Sequence, residues 1–282
     1  MSADWTQARR RAPRAALLTL AGIIATVNMF ASFVVGSVQQ DGMVIAATNL
    51  FGLNAAQVFA LYGLWEIGQR EAATAGASRV SRADVLVVSA AMILSLFPWH
   101  VMALPAVLGL GIWCFFTSPI GSAERRAGVL MLAIGGSSLA ARLLLHSVGD
   151  QVVSLDAQFV GWLAGVEVRD NVVDFRSVGQ RSFILGMGCS SVHNMSQALL
   201  LWATVTQLLR MTIDWTLALY AVLAMLGMFL VNAARLTAIA WFPQHFDSIH
   251  VGTIASLFSF ASLIAAMAII AVGILHAQRR PA

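Results

Sequence analysis

No lysine occurs anywhere in the sequence; all 17 basic residues are arginines. With a formal charge of only +4, the chain lacks the dense basic patch that nucleic-acid binding needs, and the informative feature is where the arginines fall. Charged residues of either sign are scarce, at 11%, against 59% hydrophobic residues and a mean hydropathy of +0.80. That balance excludes a soluble domain and points to an integral membrane protein with the lipid bilayer as its solvent. Cysteine is nearly absent too. Cys114 and Cys189 lie in different hydrophobic contexts, so no disulfide framework is implied. Metal-ligand spacing, a Walker loop and a dinucleotide fingerprint are missing, so no metal or cofactor is expected. The first apolar run is long and carries no clear small-residue cleavage site, which reads as a retained signal anchor.

What is present is a series of apolar runs. A helical span needs about 20 mostly apolar residues, and the runs predict an all-α polytopic protein of about eight spans. They fall near 15–38, 43–67, 84–100, 102–118, 127–148, 190–209, 215–240 and 251–276. The sequence QQDG at 39–42 reads as a short turn, and Pro98 and Pro105 interrupt the stretch between spans three and four. The whole chain, 1–282, is expected to form one integral membrane domain, with 149–187 as its one sizeable extramembrane loop. Within that loop GVEVRDNVVDF alternates β-branched residues around an Arg-Asp-Asn turn signal and predicts a short hairpin.

Alternating the sides places the arginines at 9–14, 70–82, 125–126, 210 and 279–280 in the cytoplasm. Both termini are then cytoplasmic by the positive-inside rule. Arg169, Arg176 and Arg181 remain outside, in the long loop where the rule is weak. On this topology Cys189 opens span six at the outer surface, Arg235 lies near the outer end of span seven, and His245 and His250 lie in the outer loop and at the mouth of span eight.

These residue types make a set. The thiolate is the nucleophile, and a free cysteine titrates near 8.5. The unpaired amides and dipole of a helix N-terminus favour an anion there. A guanidinium stabilises a thiolate or an oxyanion. A histidine serves as base and then as acid to a leaving amine. Arginine inside FLVNAARLTAIAW is costly to bury and is a functional candidate on that ground. Asn232, one turn earlier on the same face, is suited to orient the arginine, to bind a substrate carbonyl or to bridge helices. His193 and Asn194 follow Cys189 by about one turn and are placed to line the same pocket. Arg142 and His146, spaced i, i+4 near the outer end of span five, share a face suited to a substrate or to the interface. Glu66 and Arg70 have the spacing of a structural ion pair, and Cys114 reads as a small core hydrophobe. Trp99, Trp162, Trp202 and Trp241 suit interfacial belts or helix packing.

Three stretches together resemble the exosortase/archaeosortase family of membrane-embedded cysteine transpeptidases. GCSSVHN is similar to the family's cysteine motif, NAARLTAIA to its Asn-x-x-Arg motif, and HFDSIHVGTIASLF to a motif with a histidine just before the last span. The segment GWLAGVEVRDNVVDF also resembles the family's outer segment, and the likeness covers roughly 160–260. Ser191 stands where the family usually has glycine. The resemblance implies Cys189 as nucleophile, Arg235 as stabiliser of the thiolate or oxyanion, and a histidine as acid/base. The third motif can be matched with His245 or His250, and we prefer His250 because it opens the last span directly. It further implies an active site on the outer face of a bacterial inner membrane. The partner is then an exported protein with a C-terminal sorting signal: a motif such as Pro-Glu-Pro, a hydrophobic helix and a basic tail. The acyl acceptor is unspecified. Arg142, Arg176 and Arg181 are available for an acidic recognition motif. Two rival expectations are a transporter with Arg235 as an anion site, and a non-catalytic subunit of an envelope or exopolysaccharide assembly system.

Overall fold

A computed structural model describes residues 14–72, 79–97, 99–174, 182–186, 189–250 and 252–279, without the side chains of 71, 72, 100 and 140–146. The described chain is dominantly α-helical. Its helices are α1 (Arg14–Thr48), α2 (Ala55–Ala72), α3 (Arg82–Ser95), α4 (Ala103–Thr117), α5 (Ala123–Ala164), α6 (Ser191–Leu208), α7 (Trp215–Trp241), α8 (Phe246–His250) and α9 (Thr253–Gln278). A three-stranded antiparallel sheet lies between α5 and α6: β1 (Glu167–Arg169), β2 (Val172–Asp174) and β3 (Phe183–Ile184).

Each expected span overlaps a helix, but the expected count of eight membrane-crossing helices is not supported. Among the described residues α1, α7 and α9 are long and apolar enough to cross a membrane, and α4 is a shorter apolar helix. This is an α-helical membrane protein. The 14 residues of α3 and 15 of α4 fall short of a bilayer's thickness as single straight helices. The expected turn at 39–42 is not a loop: helix resumes after Gly42, whose φ of 76° breaks the regular geometry. The reversal comes later, at Leu50–Gly52, where Leu50, Phe51 and Gly52 all have positive φ. Span two therefore starts at Ala55 rather than 43. There the Asn54 side chain accepts from the Gln57 amide at 2.9 Å, and the Gln57 side chain accepts from the Asn54 amide at 3.1 Å, a reciprocal cap.

The chain forms two compact units. The first contains residues 1–136 and 203–212. In it α1 packs on α2, α3 and α4, and α3 packs on α4. Arg14, expected as a cytoplasmic surface charge, is instead buried. Its guanidinium donates to Asp84 Oδ1 at 2.9 Å, to Ser118 Oγ at 3.0 Å and to Thr117 Oγ1 at 2.6 Å. Asp84 also accepts from Trp113 Nε1 at 2.8 Å and closes the Ser81 capping box of α3. One carboxylate thus ties the ends of three helices. Removing one member of a buried pair strands the other's charge, at about 3–5 kcal/mol. Asp84→Ala is accordingly expected to lower thermal stability in detergent strongly. The double replacement Arg14→Met/Asp84→Leu should recover most of it, which a melting series checks. Arg70 and Glu66 do form their i, i+4 pair, at 2.6 Å. Cys114 is fully buried.

The second unit contains residues 137–202 and 213–282. Here α7 packs along α9, and α8 lies against both. A side chain at Gly273 would run into Tyr220, so glycine permits this close approach. The segment 149–187, expected as a loop, begins as helix: α5 bends at Val148 (φ −135°) and continues to Ala164. The expected hairpin follows, with Glu167 opposite Asp174 and Arg169 opposite Val172, around Asp170 at φ 55°. The third strand adds Val173 opposite Phe183. Val153, Ala157 and Val160 of α5, Val173 and Leu185 of the sheet layer, Leu236, Ile239 and Ala240 of α7 and Ile249 of α8 form one apolar cluster. Cys189 packs against it.

Candidate functional site

The candidate site lies wholly within the second unit. Cys189 sits in the turn that leads into α6, two residues before the helix begins, and is half-buried. Its sulfur is 4.0 Å from His250 Nδ1. That is long for a hydrogen bond, as resting catalytic contacts often are, and it places the imidazole as the nearest base. His250 does not open the last long helix, as expected; it closes the short α8, and α9 starts at Thr253. This extra turn lets α8 rest on the apolar cluster through Ile249 while His250 faces the thiol. The Phe246 ring stacks on the imidazole, with centroids 5.1 Å apart.

Arg235 lies on α7, one helical turn after Asn232. Its Nε is buried and has no hydrogen-bond partner among the described residues. An unsatisfied buried donor costs about 1–3 kcal/mol. Asn232 lies on the same face of α7 and does not orient the arginine. Its Nδ2 donates to the Cys189 carbonyl at 3.0 Å and to Ser191 Oγ at 3.2 Å. It holds the backbone of the cysteine turn. Ser191, where the resembled motif has glycine, supplies the hydroxyl for that second bond.

Free amides at the start of α6 were expected beside the thiol. The structure corrects this at three positions. The Cys189 amide donates to Gly186 O at 2.9 Å, the Ser191 amide to Asp156 Oδ2 at 2.9 Å, and the Val192 amide to Ser190 Oγ at 3.3 Å. These donors are committed to shaping the turn and are not free for an anion, whereas the buried Arg235 Nε has no partner among the described residues.

Asp156 is the residue that sequence reading missed. It comes from the continuation of α5, at 6% exposure, beside Ser190 and Ser191, at 2% and 3%. Burial pushes its pKa above the ordinary carboxyl range, against the opposing pull of bonds from the Ser191 amide and the hydroxyls of Ser191 and Ser190. A signal was present: Val153, Asp156, Ala157 and Val160 share one helical face, and an acid on an apolar face is out of place unless it has partners.

The other candidates are less engaged. His193 is exposed on α6, with Nε2 2.7 Å from Gln197 Nε2. Asn194 is partly exposed on the same helix. His245 ends a short 3₁₀ turn, exposed, and makes no contact with Cys189 among the described residues. Arg142 lies on α5, but its side chain, like that of His146, is outside the described set, and Arg176 and Arg181 lie outside the described residues. Among the described residues no three His, Cys, Asp or Glu side chains are arranged to hold a metal ion.

No family model, curated protein or solved structure matches the chain.

Proposed function

We propose that the chain is a membrane-embedded cysteine peptidase or transpeptidase of the exosortase kind, cleaving C-terminal sorting signals of exported proteins. The observation that carries this reading is the meeting of Cys189 with His250, 61 residues apart in sequence; Arg235, with its unpartnered buried donor, lies one turn along α7 from the Asn232 that holds the Cys189 carbonyl. In the proposed arrangement the chain is embedded in a bacterial inner membrane, both termini are cytoplasmic, and the site opens on the outer face. The hydrophobic part of the substrate's signal enters the bilayer and brings the scissile bond to Cys189.

The chemistry follows from the side chains. His250 Nδ1 takes the thiol proton, and the sulfur attacks the scissile carbonyl carbon. Arg235 donates to the oxygen as it gains charge. The C–N bond breaks, the amine departs with the proton from His250, and a thioester remains on Cys189. Water or an acceptor amine then attacks that thioester, His250 takes its proton, and the thiolate leaves.

The test is co-expression with a reporter carrying a Pro-Glu-Pro motif, a hydrophobic helix and a basic tail, followed by immunoblot. The wild type should shorten the reporter. His250→Ala should slow this by about 100-fold or more, the usual share of a general acid/base, and His245→Ala by much less. If His250→Ala processes at the wild-type rate, the transporter and scaffold readings take precedence.

A further inference from the structure

We propose that Asp156 is a positioning residue for the nucleophile: from α5 it clamps the Cys189–Ser191 turn so that the sulfur stays against His250. This rests on the thiol reading above and adds to it a residue that touches none of the reacting atoms.

The turn is held from two sides. Asn232 of α7 grips the Cys189 carbonyl and Ser191 Oγ. Asp156 of α5 accepts from the Ser191 amide at 2.9 Å. Ser191 is thus gripped at its hydroxyl from α7 and at its amide from α5. The side chains of Asn232, Ser191 and Asp156 are all buried, where a partly satisfied network is worse than none. The clamp also has a firm base. Ala157 and Val160, next to Asp156 on α5, belong to the apolar cluster against which Cys189 and Ile249 pack. The residue before His250 and the residue after Asp156 thus share one packed core, and the distance between thiol and imidazole is set through it.

Without Asp156, the Ser191 amide loses its partner, and the turn can relax by the ångström or so that separates a productive from an unproductive approach. Such a displacement costs on the order of 100-fold in rate. A carboxamide keeps one acceptor oxygen for the Ser191 amide, so Asp156→Asn should retain most of what Asp156→Ala loses.

The experiment needs two readouts, both in a Cys114→Ala background so that Cys189 is the only thiol. The first is the rate of alkylation of Cys189 by iodoacetamide in membranes, which requires no substrate. The second is reporter processing. Asp156→Ala should lower alkylation about tenfold and processing about 100-fold, and Asp156→Asn should stay within about threefold of wild type. Should Asp156→Ala fail to accumulate in membranes, Asp156→Leu, which fills the space but accepts no bond, carries the test. Wild-type rates in a well-inserted Asp156→Ala or Asp156→Leu overturn the proposal. So does an Asp156→Asn variant as slow as Asp156→Ala. Cys189→Ala separates the two layers: if it still processes the reporter, the thiol reading fails first; if it is inactive while Asp156→Ala is not, only the positioning role falls.

Discussion

Replacing Cys189 by serine is expected to stop reporter processing as completely as replacing it by alanine, with a loss of about 1000-fold or more. Serine keeps the shape and a nucleophilic atom, so its failure would be informative. A thiol titrates near 8.5, within reach of an imidazole base, whereas a hydroxyl needs a base that a third group holds and polarises. His250 offers no such third group: its contacts among the described residues are Cys189 and the Phe246 ring, with no carboxylate. Both variants should insert normally, because Cys189 is only half-buried and its carbonyl and amide, not its sulfur, make the bonds that hold the turn. Processing rates normalised to membrane-embedded protein check this. A serine variant with more than a few per cent of wild-type activity would contradict the thiol-specific reading.

The second large effect is expected at Arg235. Arg235→Ala should lower processing by about 100- to 1000-fold, the usual cost of removing one donor to a developing oxyanion. Arg235→Lys should restore little of it. Lysine keeps the charge but concentrates it on one nitrogen, while the donor without a partner here is Nε, part of the guanidinium's planar fork. The engagement of the Cys189, Ser191 and Val192 amides sharpens the expectation, because those backbone donors cannot substitute without undoing the turn. Initial rates over a range of reporter levels separate the roles. A stabiliser of the transition state lowers the maximal rate, and a residue that only holds the substrate raises the level needed for half-maximal rate. Full activity in Arg235→Lys would assign Arg235 a general electrostatic role.

Much of the architecture was legible because apolar runs report helices directly, and the ends of α7 and α9 lie close to the expected spans. The hairpin at 167–174 was legible from alternation around Arg-Asp-Asn. What escaped depends on tertiary partners. Arg14 looks like any flanking arginine until Asp84, 70 residues away, takes it out of solvent. Asp156 looks like a loop acid until α5 is seen to continue beyond Val148 and bring it beneath the cysteine turn. Asn232 and Arg235 were rightly placed on one face by their spacing, but the spacing was silent on what each would touch. The short α8 escaped because five residues are too few for a periodic signal.

The most direct measurement is the intact mass of the purified protein, quenched during turnover of the reporter in detergent. The expected result is a fraction of the chain heavier by the mass of the reporter's N-terminal fragment less one water. The adduct should be absent in Cys189→Ala, and hydroxylamine should remove it by converting the thioester to a hydroxamate and freeing the thiol. Cleavage of the reporter with no adduct under these conditions, at an equal rate in Cys189→Ala, would contradict covalent catalysis at Cys189.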